Sequence, residues 1–266
     1  MGGEPESLSG AILVTGTRTE RLRLDLLLVD RGLATSRERA HALVLAGQVL
    51  VNGEPVTKAG TPVAADAAVA LAAPDHPWAG RGGLKLAHAL DVFGLDVTGR
   101  EALDVGASTG GFTDVLLQRG ARRVVALDVG HGQLDWGLRN DPRVVVLEGV
   151  NARSLDLADL PGKVGIVTID VSFISLRRIL PRIPAVLADP GDVVALVKPQ
   201  FEAGRREVGK HGLVRDPAVQ ARVVEEISAA AAALGLVRCG TTQSPITGAR
   251  GNQEFLLHLR PSQGEP

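Results

Sequence analysis

The stretch Ala102-Leu-Asp-Val-Gly-Ala-Ser-Thr-Gly-Gly-Phe112 decides the fold. It reads as a short apolar strand, Ala102 to Val105, that breaks into a glycine-rich turn and continues as a helix. Working outward, further apolar runs lie at Val124 to Val129, Val144 to Leu147, Val164 to Val171, Val193 to Val197, Leu236 to Cys239 and Glu254 to Leu259. Helical patterns separate most of them, which predicts an α/β domain with a doubly wound, largely parallel sheet. The last run follows its predecessor through the turn-rich segment Ser244 to Asn252 with no helix, so an antiparallel final strand is expected.

Toward the N-terminus the pattern changes. Leu24, Leu27 and Leu28 recur at helical spacing before Gly32, and Ser36 precedes a second helix that is expected to reach Ala46. Val49-Leu-Val51 and Pro55-Val56 then flank Asn52-Gly53, a strong hairpin signal. We therefore expect a small α+β domain over 21–72, a Pro- and Gly-rich linker over 73–83 and the α/β domain over 84–262. Met1 to Glu20 lacks the basic-then-apolar order of a secretory signal and is expected to be a disordered leader.

Composition removes several classes. The hydrophobic share of 45% in 266 residues fills an ordinary core, while the apolar runs fall short of the ~20 residues of a membrane-spanning helix. No membrane association is expected. The single cysteine, Cys239, excludes an internal disulfide and a cysteine-based zinc cluster, and it fits a reducing, cytoplasmic setting. A net charge of -1 means that contacts to nucleic acid must come from local clusters of cations.

The glycine spacing selects the ligand. A dinucleotide turn needs G-x-G-x-x-G, which disfavours a nicotinamide dehydrogenase, whereas here Asp104 precedes Gly106 and Gly110-Gly111 close the turn. An acid at Asp104 repels a pyrophosphate but can hold the ammonium of S-adenosylmethionine. Asp128 closes the next strand, where a carboxylate accepts both ribose hydroxyls of an adenosine. By position Asn151 can face the adenine, although an Asn after a strand is as readily a turn former. The expected cofactor wall is Asp104, Gly106, Ala107, Ser108, Thr109, Gly110, Gly111 and Phe112, then Asp128, Val129, Asn151, Ala152 and Asp170.

Asp170 and Lys198 each end an apolar strand at the edge that carries this ligand. A charge there is costly unless paired or used, so the two read either as a structural ion pair or as chemistry. Removing a proton from a hydroxyl with a lysine requires a pKa far below the usual ~10.4. Burial and a second cation push it down, while carboxylates orient the group and oppose the shift.

The order of Lys85 in Arg81-Gly-Gly-Leu-Lys85, Asp170 in Ile-Asp170-Val-Ser-Phe, Lys198 in Val-Lys198-Pro-Gln-Phe-Glu and Glu254 in Asn-Gln-Glu254-Phe resembles the Lys-Asp-Lys-Glu tetrad of FtsJ-type ribose 2′-O-methyltransferases. More closely, the chain from about Arg21 to Arg260 resembles the TlyA family, often labelled hemolysin A, which joins an S4 RNA-binding domain to an FtsJ-like domain. Asp128-Val-Gly-His-Gly-Gln133, Arg139-Asn-Asp-Pro-Arg143, Ser172-Phe-Ile-Ser-Leu176 and Ser244-Pro-Ile-Thr-Gly248 carry the same resemblance. It implies a class I methyltransferase fold with a seven-stranded sheet, and methylation of cytidine 2′-hydroxyls in ribosomal RNA within ribosomal subunits. Lys198 would be the base, with Lys85, Asp170 and Glu254 around it and no metal required. Taken alone, Lys85 reads as an exposed helix lysine and Glu254 as an edge-strand charge.

For RNA the candidates are Arg21, Arg23, Arg37, Arg39 and Lys58 in the small domain, Arg81 in the linker, and Arg205 and Arg206 in a glycine- and cation-rich loop after Lys198. His211 in that loop reads as a surface residue. The competing readings are an RNA-binding scaffold, a base-directed RNA methyltransferase, for which Asn/Asp-Pro-Pro-Tyr or a reactive cysteine is missing, and a pore-forming hemolysin, for which no spanning segment is present.

Overall fold

A parallel sheet needs its strands covered on both faces, so each strand must be apolar on alternate residues in both directions. Strand after strand of this chain meets that condition. The computed structural model describes residues 21–45, 47–72 and 76–262. The expected leader, Ala46 and the linker residues 73–75 lie outside them. The chain divides into two units, the first ending at His76 and the second starting at Pro77.

In the first unit, β1 (Arg21–Arg23) leads into α1 (Leu24–Asp30), followed by α2 (Arg37–Leu45), β2 (Val49–Val51), β3 (Glu54–Pro55), β4 (Pro62–Ala64) and β5 (Val69–Leu71). Ser36 Oγ accepts from the Arg39 amide at 3.2 Å, the expected cap of α2. Asn52 and Gly53 both take positive φ, 53° and 86°, which is the turn that closes β2 onto β3. Leu24, Leu27, Leu28, Leu43, Val44 and Val49 form the core.

The second unit runs α3 (Gly82–Phe93), β6 (Glu101–Val105), α4 (Gly111–Gln118), β7 (Arg123–Asp128), α5 (Trp136–Arg139), β8 (Val144–Glu148), β9 (Val164–Ile169), α6 (Ile183–Val186), β10 (Leu187–Val197), α7 (Pro199–Glu202), α8 (Pro217–Ala232), β11 (Leu236–Gln243) and β12 (Phe255–Pro261). Among the described residues these strands form one seven-stranded sheet ordered β11-β12-β10-β9-β6-β7-β8. All neighbours are parallel except β12, which runs antiparallel to both β10 and β11. Leu103, Val125, Val167, Val193 and Ala195 bury one face under α6 and α8. The alternate residues Ala102, Val124, Ile166, Val194 and Leu196 bury the other under α3 and α4. No helix among the described residues is long and apolar enough to cross a membrane.

Three expectations are corrected. Strand β9 stops at Ile169, not Val171, so Asp170 and Val171 open the following loop. Strand β11 continues to Gln243, past Cys239, because as an edge strand it accepts polar residues on its exposed face. Between β9 and β10 the chain forms only single helical turns, in which Pro181 and Pro184 lack a backbone donor. The linker expected over 73–83 ends earlier, because residues 77–81 are part of the second unit, where the Ala79 amide donates to Asp114 Oδ2 at 2.7 Å and Trp78 fills the space beside Gly83.

Far from the carboxyl edge, Asp192 of β10 is tied to β12 and to Arg100, the residue that leads into β6. It accepts from His258 Nε2 and Arg260 Nε, each at 2.7 Å, and pairs with Arg100 at 2.8 Å. Burial raises its pKa, but these partners outweigh it and hold the carboxyl well below the usual range.

Candidate active site

The glycine-rich turn after β6 is shaped by two close approaches. Gly106 has φ 88°, and a Cβ there would stand 2.5 Å from the Asp170 carbonyl oxygen; at Gly110, φ 94°, a Cβ would run into Leu138 and Leu134. Only glycine lets the backbone lie this close to the neighbouring loop. The turn is then pinned from the next strand, where Asp128 accepts from the amides of Ser108 at 2.8 Å and Gly130 at 2.7 Å.

Asp104 is placed differently from its expectation. It has no exposed surface, accepts from Thr113 Oγ1 at 2.7 Å and pairs with Thr168 Oγ1 at 3.0 Å, so it supports the turn from beneath and does not face a ligand directly. Burial pushes its carboxyl up to about 7. The physical reason is its position inside β6, one residue before the strand ends, where alternation turns its side chain toward α4.

Three cavities meet at this edge. The largest, about 870 Å³, is lined by Gly106, Ser108, Asp128, Val129, Asn151 and Ala152, and also by Asp170. A smaller one, about 180 Å³, runs between Arg81, Lys85, Ala107, Thr109, Gly111 and Phe112. The third, about 340 Å³, is walled by Lys198, Glu254, Phe173, Phe201, His211 and Arg250. Asp170 lines the first two, Lys85 the second and third, and Ser172 and Phe173 the first and third. Asn151 Oδ1 caps the next turn by accepting from the Arg153 amide at 3.0 Å, the turn-forming role, while the residue still lines the large cleft.

The four charged candidates stand at this junction. Lys85 Nζ donates to Glu254 Oε2 at 2.6 Å, and Lys198 Nζ lies 2.5 Å from Asp170 Oδ1. Lys85 and Lys198 are each 8% exposed, and Glu254 is 2% exposed, so neither the exposed helix lysine nor the edge-strand charge describes them. Lys85 sits in the first turns of α3, which the packing of Trp78 against Gly83 and of Gly80 against Thr109 holds over the turn. Glu254 directly precedes β12, an inner strand.

The profile of FtsJ-like methyltransferases matches residues 78–261, and that of the S4 domain matches residues 22–69. The chain is 48% identical over 241 residues to the 16S/23S rRNA (cytidine-2′-O)-methyltransferase TlyA of Mycobacterium tuberculosis, covering 90% of each. The chain belongs to the TlyA family of FtsJ-like methyltransferases. It is also 40% identical to Hemolysin A of Brachyspira hyodysenteriae, over 90% of this chain and 99% of that one. A solved Streptococcus thermophilus structure matches with TM-score 0.73 and 45% identity, over 92% of this chain and 90% of that one. A methyltransferase from Listeria monocytogenes, at TM-score 0.53 and 15% identity, shares the fold of the second unit.

In this TlyA-family chain the small-domain cations are engaged with their own unit. Arg23 grips Asp25 through Nε at 3.0 Å and Nη2 at 2.8 Å, and Arg37 Nε donates to the same carboxylate at 3.0 Å. Hydrogen bonds from Arg23 in particular hold the Asp25 carboxyl well below the usual range. Both guanidinium side chains stay half-exposed, at 49% and 57%, and can still meet a phosphate. Arg21 donates to the Pro62 carbonyl at 3.1 Å and Arg39 to the His76 carbonyl at 2.8 Å, while Lys58 is exposed. In the second unit Arg205 and Arg206 are exposed, and Arg81 lies at the wall of the small cavity.

Residues that sequence reasoning left without a role also line the site. Ser172, Phe173 and Phe201 stood inside quoted motifs, but nothing in those motifs marks them as neighbours across two loops. Phe173 is 91% exposed and its ring lies 5.1 Å from that of Phe201. Asn252, 3% exposed, clasps the cation-rich loop by donating to the Gly212 carbonyl at 2.9 Å and accepting from the Val214 amide at 3.1 Å.

Proposed function

We propose that this chain methylates the 2′-hydroxyl of cytidine in ribosomal RNA, within ribosomal subunits in the cytoplasm, with S-adenosylmethionine as donor and Lys198 as the base. The observation that carries the reading is the pair of buried lysines, each on its own carboxylate, at the point where three cavities join. The relatives named above as rRNA cytidine-2′-O-methyltransferases support the substrate.

The residues present suit the donor. The large cleft offers Asp128 for ribose hydroxyls and Val129, Asn151 and Ala152 for the adenine. Gly106 to Phe112 provide a backbone cradle for the methionine end, and the missing Cβ at Gly106 lets that turn lie against the Asp170 carbonyl. S-adenosylmethionine supplies an activated methyl group, whose carbon–sulfur bond breaks toward sulfur as the bond to the ribose oxygen forms.

The chain's own residues do the rest. Lys198 Nζ takes the proton of the 2′-hydroxyl, a general-base role worth about 10² to 10⁴ in rate. Asp170 compensates the ammonium that results. Lys85 contributes a second positive centre, kept in place by Glu254, that favours oxyanion character on the attacking ribose oxygen. Arg23, Arg37 and the neighbouring Arg21, Arg39 and Lys58 of the S4 domain, with Arg81, Arg205 and Arg206 of the second unit, would hold RNA phosphates.

The test is to incubate ribosomal subunits lacking the modification with labelled S-adenosylmethionine and digest the RNA to nucleosides. Label is expected in 2′-O-methylcytidine. Label on a base would overturn the reading.

A further inference from the structure

Two contacts to Lys198 differ in kind. Asp170 Oδ1 is 2.5 Å away, yet that oxygen makes no directed hydrogen bond, so it supplies charge without direction. The directed bond from Lys198 Nζ goes to Ser172 Oγ, at 2.9 Å. Ser172 lies two residues beyond Asp170 on the same loop and lines both the large cleft and the third cavity.

The loop that presents Ser172 is held from the Lys198 side. Glu202, four residues past Lys198, accepts from Ser175 Oγ at 2.5 Å and from the Leu176 amide at 2.7 Å. Between these bonds and Asp170, Phe173 adopts φ 64°, a conformation that a bulky residue keeps only where its surroundings fix it. Residues 170–176 and 198–202 are thus joined at two points, Lys198 to Ser172 and Glu202 to Ser175-Leu176.

Resting on the reading of Lys198 as the base, we propose that Ser172 is a positioning residue that aims the Lys198 amine at the ribose hydroxyl, and that Glu202 holds the loop that presents it. The nitrogen of a neutral lysine amine carries Cε, two N–H bonds and one lone pair in four tetrahedral directions. An acceptor at Ser172 takes one N–H. Of the two directions left, the one facing the Asp170 carboxylate is favoured for the second N–H and disfavoured for a lone pair by charge alone, so the lone pair keeps a single direction, which alignment with the reacting atom requires.

The experiment uses the full chain with unmodified ribosomal subunits and compares Ser172→Ala, Ser172→Thr, Lys198→Ala and the double variant Ser172→Ala/Lys198→Ala. For Ser172→Ala we expect kcat about tenfold lower, with KM for the subunit and Kd for S-adenosylmethionine within about twofold, since only alignment is lost. Ser172→Thr keeps the hydroxyl and is expected to recover most of the rate. The double variant is expected to be no slower than Lys198→Ala, because the serine acts through the lysine. A loss that appears in KM, an equal loss in the Thr and Ala variants, or a further loss on Lys198→Ala would overturn the proposal. If Lys198→Ala is slow and Ser172→Ala is at the wild-type rate, the serine role alone fails. If Lys198→Ala is itself at the wild-type rate, the reading of the base fails with it.

Discussion

Lys85 Nζ and Glu254 Oε2 are 2.6 Å apart and both side chains are nearly closed to solvent, so each is the other's condition for being buried. Removing one partner of such a pair strands a charge, at a cost of about 3 to 5 kcal/mol. Glu254→Ala is expected to lower the unfolding free energy by that amount in urea denaturation. Replacing both residues with apolar ones of similar size is expected to recover stability while methyl transfer stays low, which separates the structural from the chemical part of the pair.

Asp104 gives the fold a pH dependence of known sign. Its carboxyl titrates near 7 in the folded chain and near its ordinary value when unfolded. The folded state therefore holds the proton more tightly, and the associated stability is complete below about pH 4 and lost as pH rises through 7. The effect is on the order of a few kcal/mol. Asp104→Asn is expected to flatten the fall in unfolding free energy between these limits. An equal slope in both proteins would contradict the assignment.

Gly106 tests the cofactor turn. Alanine there places a methyl 2.5 Å from the Asp170 carbonyl at a φ of 88° that a side chain opposes. The strain, about 1 to 3 kcal/mol, is expected to displace the turn and weaken S-adenosylmethionine binding by about tenfold or more in calorimetry.

The S4-domain arginines are expected to behave as phosphate contacts. Arg23→Ala and Arg37→Ala should each weaken RNA binding and reduce the dependence of log K on log salt by about one, irrespective of sequence. Arg37→Ala leaves Asp25 with its two bonds from Arg23 and is expected to retain the fold.

Much of this was legible in the sequence because the signals are local. The Asn52-Gly53 turn, the cap at Ser36 and the antiparallel β12 each follow from neighbouring residues. Gly106, Ser108 and Asp128 line the large cleft, and Ala107, Thr109, Gly111 and Phe112 the small cavity beside it. What stayed hidden depends on packing. The burial of Lys85 comes with its bond to Glu254, 169 residues away in the chain, and the inner position of Glu254 comes from β12 inserting between β10 and β11. Asp104 was assigned a ligand contact from its position before a glycine, yet strand alternation turns it into the core. Ser172 and Glu202 acquire neighbours only when two loops after different strands meet.

The central claim is that Lys198 takes the ribose proton, and single-turnover methyl transfer measures it most directly. With subunit and S-adenosylmethionine both saturating, Lys198→Ala is expected to be at least about 100-fold slower than wild type while binding both ligands with unchanged affinity. A rate within a few fold of wild type would contradict the account.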